Sequence, residues 1–394
     1  LTWINLTTGV LANGLPAVGS LGPLTSLVGQ SQADSIGSSY ITYKYNYYDI
    51  SRLILTSTAW DNPVTLASDA GALTWLNGST GYLADGSPAI GPISAINSLV
   101  GTSSGDAVGV LRTQVDRGLL LRMPSWDQVA QTGPAVADVG AVAWVDLSTG
   151  NLSGGTAAIG VISAANALVG ATASDAIGTN FIQPYYSSAF LGSPSWDLVG
   201  NTAAEDAGAF TWLNISTGRL SGGLFVQGRV GATNSLVGQV AHDEVGRFTS
   251  GSPTVSETYL QSTPQDSGYW LLGTPSFDSS SSLTDSGAVT WLNASTGTLY
   301  GNGYIQGAIS SANSLLGATA SERFGVLEIT GSNSLDLARP ANQGVILLSP
   351  GFDNGVVADV GALSWMSYGS GRVGVLGSDL ALVGSSTGDL NQVS

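Results

Sequence analysis

Five aspartates fall at one equivalent place in the chain, each directly after an aromatic residue: Trp60-Asp61, Trp126-Asp127, Trp196-Asp197, Phe277-Asp278 and Phe352-Asp353. Carboxylates in pairs can do general acid and base chemistry. Their repetition points elsewhere, because one active site needs one asymmetric constellation, whereas a carboxylate in every module suits the capping of backbone N–H groups in a turn. Asp69, Asp138, Asp206, Asp285 and Asp359, which precede a recurring Gly-Ala, read the same way. The rest of the catalytic repertoire is thin. His242 is the only histidine, Lys44 the only lysine, and there is no cysteine. No His-based metal cluster, Ser-His triad, reactive thiolate or zinc-thiolate site can be assembled from that set. A Ser-Lys dyad would need Lys44, inside Tyr40-Ile-Thr-Tyr-Lys-Tyr-Asn-Tyr-Tyr48, which reads as a strand with an amphipathic face. No nucleotide-binding Gly loop opens a helical pattern. The expectation is a protein that is not an enzyme, with no catalytic residue, metal or cofactor.

Composition narrows the partners. The net charge of −16 comes from 27 acidic against 11 basic residues. Nucleic acid is disfavoured, since phosphate binding needs clustered Lys and Arg, and anionic lipid headgroups would be repelled. No apolar stretch approaches a membrane span. Glycine is 54 of 394 residues and 43% of the chain is hydrophobic, enough apolar material for a core and against disorder. Without disulfides, stability must come from packing and sheet hydrogen bonds. The chain begins Leu-Thr-Trp with neither initiator Met nor signal peptide, which suggests a mature, processed or excised segment.

The elements that carry these residues are set by a repeat, which has to be found before any fold is argued. Tryptophan recurs at Trp3, Trp75, Trp144, Trp212, Trp291 and Trp365, at intervals of 68 to 79 residues. Most lie in a phrase such as Asp69-Ala-Gly-Ala-Leu-Thr-Trp-Leu-Asn-Gly-Ser-Thr-Gly81, weakened at Asp359. Alternation after Gly-Ala predicts a half-buried strand, and Asn-x-Ser-Thr-Gly its terminating turn. A second phrase, Asn97-Ser-Leu-Val-Gly101 and its copies at Asn166, Asn234 and Asn313, follows about twenty residues on. An acidic residue then leads into a hydrophobic-Gly pair, as in Asp106-Ala-Val-Gly109, Asp175-Ala-Ile-Gly178 and Glu322-Arg-Phe-Gly325. With apolar runs between, each module offers four short strands: one after the hydrophobic-Gly pair, one ending at the aromatic-Asp, the Gly-Ala-x-x-Trp strand and the one ending in Leu-Val-Gly. The expected fold is an all-β propeller of about six four-stranded modules of roughly 70 residues, which leaves only short, protected edges. A β-solenoid is the rival, though its coils are shorter. The chain is expected to be a single repeat domain over 1–394, with modules near 1–36 (partial), 37–106, 107–175, 176–243, 244–322 and 323–394.

The order hydrophobic-Gly, two strands, small-Pro-aromatic-Asp and Gly-Ala-x-x-Trp resembles the FG-GAP repeat of integrin α-chain propellers and their bacterial relatives. Phe324-Gly325 and Gly287-Ala288 are near-literal instances. The phrase set also resembles repeat arrays of large bacterial haemagglutinin-like surface proteins. The resemblance implies a propeller and a location outside the cell or on its surface. Many repeats of that family carry an Asp-rich calcium loop, but Tyr45 to Ser51 and Asp116-Arg117-Gly118 lack its density of acids, so calcium is not carried over.

The function expected is a structural or adhesive extracellular repeat protein, associating with itself or with neighbouring modules of a longer chain. The alternative is a multivalent lectin-like propeller whose recurrent aromatics stack on sugars, although such residues more commonly pack between blades. Sequons at Asn5, Asn77, Asn151, Asn214 and Asn293 could carry glycans, yet Asn at a strand end is also ordinary turn chemistry. Two strands at the start and five sets of four leave the sixth module two strands short. An incomplete sheet templates another chain, so assembly by strand addition into a surface filament is a further expectation.

Overall fold

In the computed structural model the chain is described over residues 1–43, 52–129, 135–200, 203–248, 260–262, 268–325, 344–367 and 369–390. Lys44 lies outside the described residues, as does the Tyr45–Ser51 segment compared with calcium loops. The fold is all-β, and the same sheet recurs. Among the described residues no helix is long and apolar enough to cross a membrane.

One module shows the pattern. Ser39–Tyr43 pairs antiparallel with Arg52–Ser57, which pairs with Ala72–Asn77, which pairs in turn with Leu99–Val100. β-Branched, Leu and aromatic residues fill these strands, as a pleated and buried surface favours. The register Ser57↔Ala72 and Ala72↔Val100 is repeated as Met123↔Ala141 and Ala141↔Val169 one module on.

The fourth strand then takes a partner that the phrases do not announce. Leu99–Val100 pairs in parallel with Gly160–Val161, a two-residue strand of the following module. The same parallel joint links Leu27–Val28 to Gly91–Pro92, Leu168–Val169 to Gly228–Arg229, Leu236–Val237 to Gly307–Ala308, and Leu315–Leu316 to Gly374–Val375. Sequential modules are therefore stitched by main-chain hydrogen bonds as well as packed.

The tryptophan strand is not half-buried as its alternation suggests. Ala72 to Leu76 are all buried. Alternate side chains enter two different cores: Leu73 and Trp75 pack with Leu119, Leu121 and Ala143 of the next module, whereas Ala72 and Leu76 pack with Leu27, Leu55 and Ile93. Each face of this sheet is covered by a neighbouring module, so an alternation that would ordinarily separate core from solvent separates one core from another.

The chain divides into two compact units. The first comprises Leu1–Thr179 with Asn214–Arg219 and Phe225–Arg229; the second comprises Asn180–Leu213, Leu220–Leu224 and Val230–Ser394. Within the second unit Phe190, Phe210 and Trp212 share a core with Leu272, Leu292 and Ala294, and Trp291 shares another with Leu347, Phe352 and Met366.

Candidate functional site

The recurring acids are engaged by the backbone. Each aspartate after an aromatic residue accepts, through Oδ1, the N–H of the acid that opens the next strand: Asp61 from Asp69, Asp127 from Asp138, Asp197 from Asp206, Asp278 from Asp285 and Asp353 from Asp359, at 3.0, 2.8, 2.9, 2.7 and 2.9 Å. The five donors all have left-handed backbone, with φ of 50 to 52°, a conformation that Asp tolerates through local hydrogen bonding. Each carboxylate thus pins the loop that turns the second strand into the third.

A second acidic series, visible in the sequence only as a lead-in to the hydrophobic-Gly pair, is the more deeply placed. Asp34, Asp106, Asp175, Asp243 and Glu322 are buried. One carboxylate oxygen accepts two successive backbone N–H groups: Thr102 and Ser103 at 2.7 and 2.9 Å for Asp106, Gln239 and Val240 at 2.8 and 2.9 Å for Asp243, Ala318 and Thr319 at 2.7 and 3.0 Å for Glu322. The other oxygen reaches the first series: Asp34 accepts the N–H of Asp61, Asp106 that of Asp127 and Asp243 that of Asp278. Burial pushes the Asp243 carboxyl up to about 6, against the pull of its N–H donors and with a smaller push from Asp278. It raises Asp106 and Glu322 as well. At Asp34 burial pushes up too, but the hydrogen bonds from Ser31, Asp61 and Gln30 outweigh it and leave the group below its ordinary value. Among the described residues no three His, Asp or Glu side chains gather where they could hold a metal ion.

The tryptophans form the joint itself. The indole Nε1 of Trp3, Trp75, Trp144 and Trp212 donates to the carbonyl of Gly78, Leu147, Ile215 and Ala294 respectively, one module further on, at 2.7, 2.9, 2.5 and 2.6 Å. The ring lies on the glycine that ends the next Ser-Thr-Gly: Trp3 on Gly81, Trp75 on Gly150, Trp144 on Gly218, Trp212 on Gly297 and Trp291 on Gly371. Glycine is required there twice over. At Gly150 φ is +76°, and a Cβ would stand 2.5 Å from the Trp75 ring. Beside two of these contacts a serine hydroxyl spans the same gap: Ser153 Oγ donates to the Gly218 carbonyl and accepts from Val226 N–H, and Ser221 Oγ does likewise between Gly297 and Ile305.

Trp365 stands at the same point of its strand but is exposed, as the sixth of the series. The aromatic residues before the aspartates, Trp60, Trp126, Trp196, Phe277 and Phe352, are buried. Neither set offers a row of open platforms for sugars. The sequon side chains work as turn acceptors: Asn5 Oδ1 takes Thr7 and Thr8 N–H, Asn77 takes Ser79, Asn214 takes Thr217, and Asn293 takes Ser295 and Thr296. Asn151 sits apart from these four, in a two-residue strand paired with Val145–Asp146. An open cleft of about 340 Å3 lies beside Leu1, Leu27, Val28 and Asp34. In the next module the equivalent space beside Gly101 is filled by the backbone of Ala70 and Gly71.

The parallel strand, the indole on its glycine floor and the buried acid are one constellation repeated along the chain, and comparison with known families also finds a repeat. Residues 52–110, 120–179, 190–247, 266–326 and 341–392 each match one family, a repeat of unknown function (DUF5650). The chain belongs to this family. The match carries no link to FG-GAP or integrin-like repeats. No curated protein matches the chain.

Proposed function

We propose that the chain is a structural or adhesive repeat protein of the cell surface or extracellular space, a scaffold whose modules set spacing and stiffness, able to extend into a filament by strand addition. One observation carries the reading: the side chains that the repeat holds constant within this chain are spent on backbone and on the neighbouring module. The indoles donate to a carbonyl of the next module and the acids accept backbone N–H groups. In arrays of this kind stability is a sum of module and nearest-neighbour terms, which is what a spacer needs. The propeller is the finer architectural part of the proposal. Its support is that the tryptophan strand is covered on both faces, as the inner strands of blades are, together with the FG-GAP-like order of phrases. Antibodies raised against the purified chain test the location: staining of intact source cells is expected, and staining confined to permeabilised cells would sink the proposal.

The lectin reading keeps one specific support, the exposed rings of Tyr82, Tyr300 and Tyr304. A glycan array screen decides it. Reproducible binding to one sugar class, abolished in Tyr304→Ala, would put carbohydrate recognition ahead of scaffolding.

A further inference from the structure

Two large apolar side chains stand almost wholly in solvent on one short loop. Between Arg52–Ser57 and the tryptophan strand that follows, Pro63, Val64, Thr65 and Leu66 are all exposed, Val64 by 88% and Leu66 by 87%. The loop is held at its base by Asn62, which is buried. Its Nδ2 donates to the Gly101 carbonyl at 2.8 Å, its Oδ1 accepts the Val64 and Thr65 N–H groups at 3.0 and 3.3 Å, and its own N–H donates to the Ala67 carbonyl at 2.8 Å. Leu66 has left-handed backbone, with φ of 62°, a conformation that costs a bulky residue and that marks strained functional positions. That strain gives the chain no packing in return, since the leucine side chain stays in solvent. Carboxylates bracket the display. Asp61 precedes the loop and Asp69 follows it, and among the described residues neither is ion-paired. Loops at the same place repeat the pattern on a smaller scale: Val129, 49% exposed, stands two residues after Asp127, and Val199, 52% exposed, two after Asp197, whereas the loop after Asp278 carries serines.

We infer that the 62–67 loop is a docking knob for a basic, amphipathic segment of another protein, whose large apolar side chains cover Val64 and Leu66 while flanking Lys or Arg side chains reach Asp61 and Asp69. Charge complementarity selects this occupant. A second copy of this chain brings the same net charge of −16 with only 11 basic residues, and an anionic membrane repels the same carboxylates. A loop whose backbone is fixed before binding also loses little freedom on docking, which favours a short and direct contact. The inference goes beyond the scaffold reading and does not need it, because it concerns one loop wherever the protein resides.

Random twelve-residue peptides displayed on phage test it, selected on the wild-type chain and counter-selected on Leu66→Asn. Asparagine tolerates left-handed backbone, so this variant should melt no lower than wild type while losing the apolar tip. Enriched peptides should combine Lys or Arg with large apolar residues. Made synthetically, they should bind Leu66→Asn and Val64→Ser at least about tenfold more weakly than wild type, as loss of an anchor at an interface does. Asp69→Asn should weaken them by less, about two- to fivefold, and flatten the dependence of affinity on salt. No enrichment, enriched peptides without basic residues, or affinities that the loop variants leave unchanged each overturn the docking. So does a lower melting temperature of Leu66→Asn, which would make the leucine a support of the fold. Loop-dependent pelleting with phosphatidylcholine vesicles would give the tip to a membrane, and loop-dependent self-association in sedimentation would give it to a second copy; either overturns the inference and leaves the scaffold reading standing.

Discussion

Trp144 and Trp365 occupy the same place in the same strand of two modules, yet one is 3% exposed and the other 50%. Nothing in their own modules accounts for it. Trp144 is covered because the following segment supplies the Ile215 carbonyl and the Gly218 floor. The burial of this indole is therefore a property of a pair of modules, and most of what the repeat encodes is the fit between neighbours rather than the interior of one sheet. Trp144→Ala is expected to cost about 3–5 kcal/mol in denaturant unfolding, the range for emptying a buried aromatic site. Trp365→Ala in dilute solution should cost less than about 1 kcal/mol, as surface changes do. Equal losses at both positions would erase the distinction.

The glycine floors carry the same contrast. Gly150→Ala places a Cβ 2.5 Å from the Trp75 ring in a residue with φ of +76°, so clash adds to backbone strain. Gly9→Ala meets strain alone, since nothing lies within 4 Å of its added Cβ. The left-handed penalty is roughly 1–2 kcal/mol, and the clash should bring Gly150→Ala to about 2–4 kcal/mol. Thermal melting of the two variants measures the difference. A Gly9→Ala variant that loses as much as Gly150→Ala would show that strain, not the ring, sets the cost.

Much of this was legible in the residues, and what was not has a physical reason. The recurring Trp and Gly-Ala phrases mark strands because alternation and turn chemistry are local. The parallel joint was invisible, because Gly160–Val161 is two residues long and no periodicity exists at that length. The expectation of a half-buried strand failed at Ala72–Asn77 because the pattern does not say whether solvent or a second core lies on the far face. The deeper acids were passed over because Asp106 and Asp175 look like turn residues in sequence; only burial separates them from Asp61. One internal substitution shows the logic well. Thr74 and Ser98 share a buried hydroxyl hydrogen bond of 2.7 Å, repeated by Thr211 with Ser235 and Thr290 with Ser314. In the module of Trp144 both partners are alanine, Ala143 and Ala167, and both are buried. Removing the two together strands no polar group, whereas removing one would.

Asp243 and Asp389 hold the same place in two modules, buried and exposed respectively. Burial raises the folded value of Asp243 to about 6 from 3.8. The folded state then binds more protons than the unfolded chain between those values, so its contribution to stability grows as pH falls from neutral through about 6. At Asp389 hydrogen bonds from Ser385 and Ser386 lower the value, and its contribution is instead lost as pH falls below the ordinary carboxylate range. Asp106 and Glu322 add to the first trend and Asp34 to the second. The melting temperature should rise between pH 7 and about 5, with Asp243 supplying on the order of 1–3 kcal/mol. In Asp243→Asn that rise should flatten. A wild-type melting temperature that falls steadily over this interval would show that Asp243 is not raised.

The smallest effect separates the two kinds of buried tryptophan. Trp144 donates its indole N–H across the joint, but Trp60, Trp126 and Trp196 bury an Nε1 that has no hydrogen-bond partner among the described residues. A buried donor left unpaired costs about 1–3 kcal/mol. Two modules already avoid it, with Phe277 and Phe352 at the equivalent place and no donor to satisfy. Trp126→Phe removes the orphaned N–H and some ring volume at once, and the two changes have opposite signs. Stability should therefore move by less than about 1 kcal/mol in either direction, where a large-to-small change in a core usually costs more. Trp144→Phe loses ring contact and a satisfied hydrogen bond together, and should cost about 2 kcal/mol or more. Parallel urea titrations of both variants give the comparison. If Trp126→Phe loses as much as Trp144→Phe, the Trp126 N–H is satisfied in solution, and the difference between the indole that joins modules and the indole that fills one disappears.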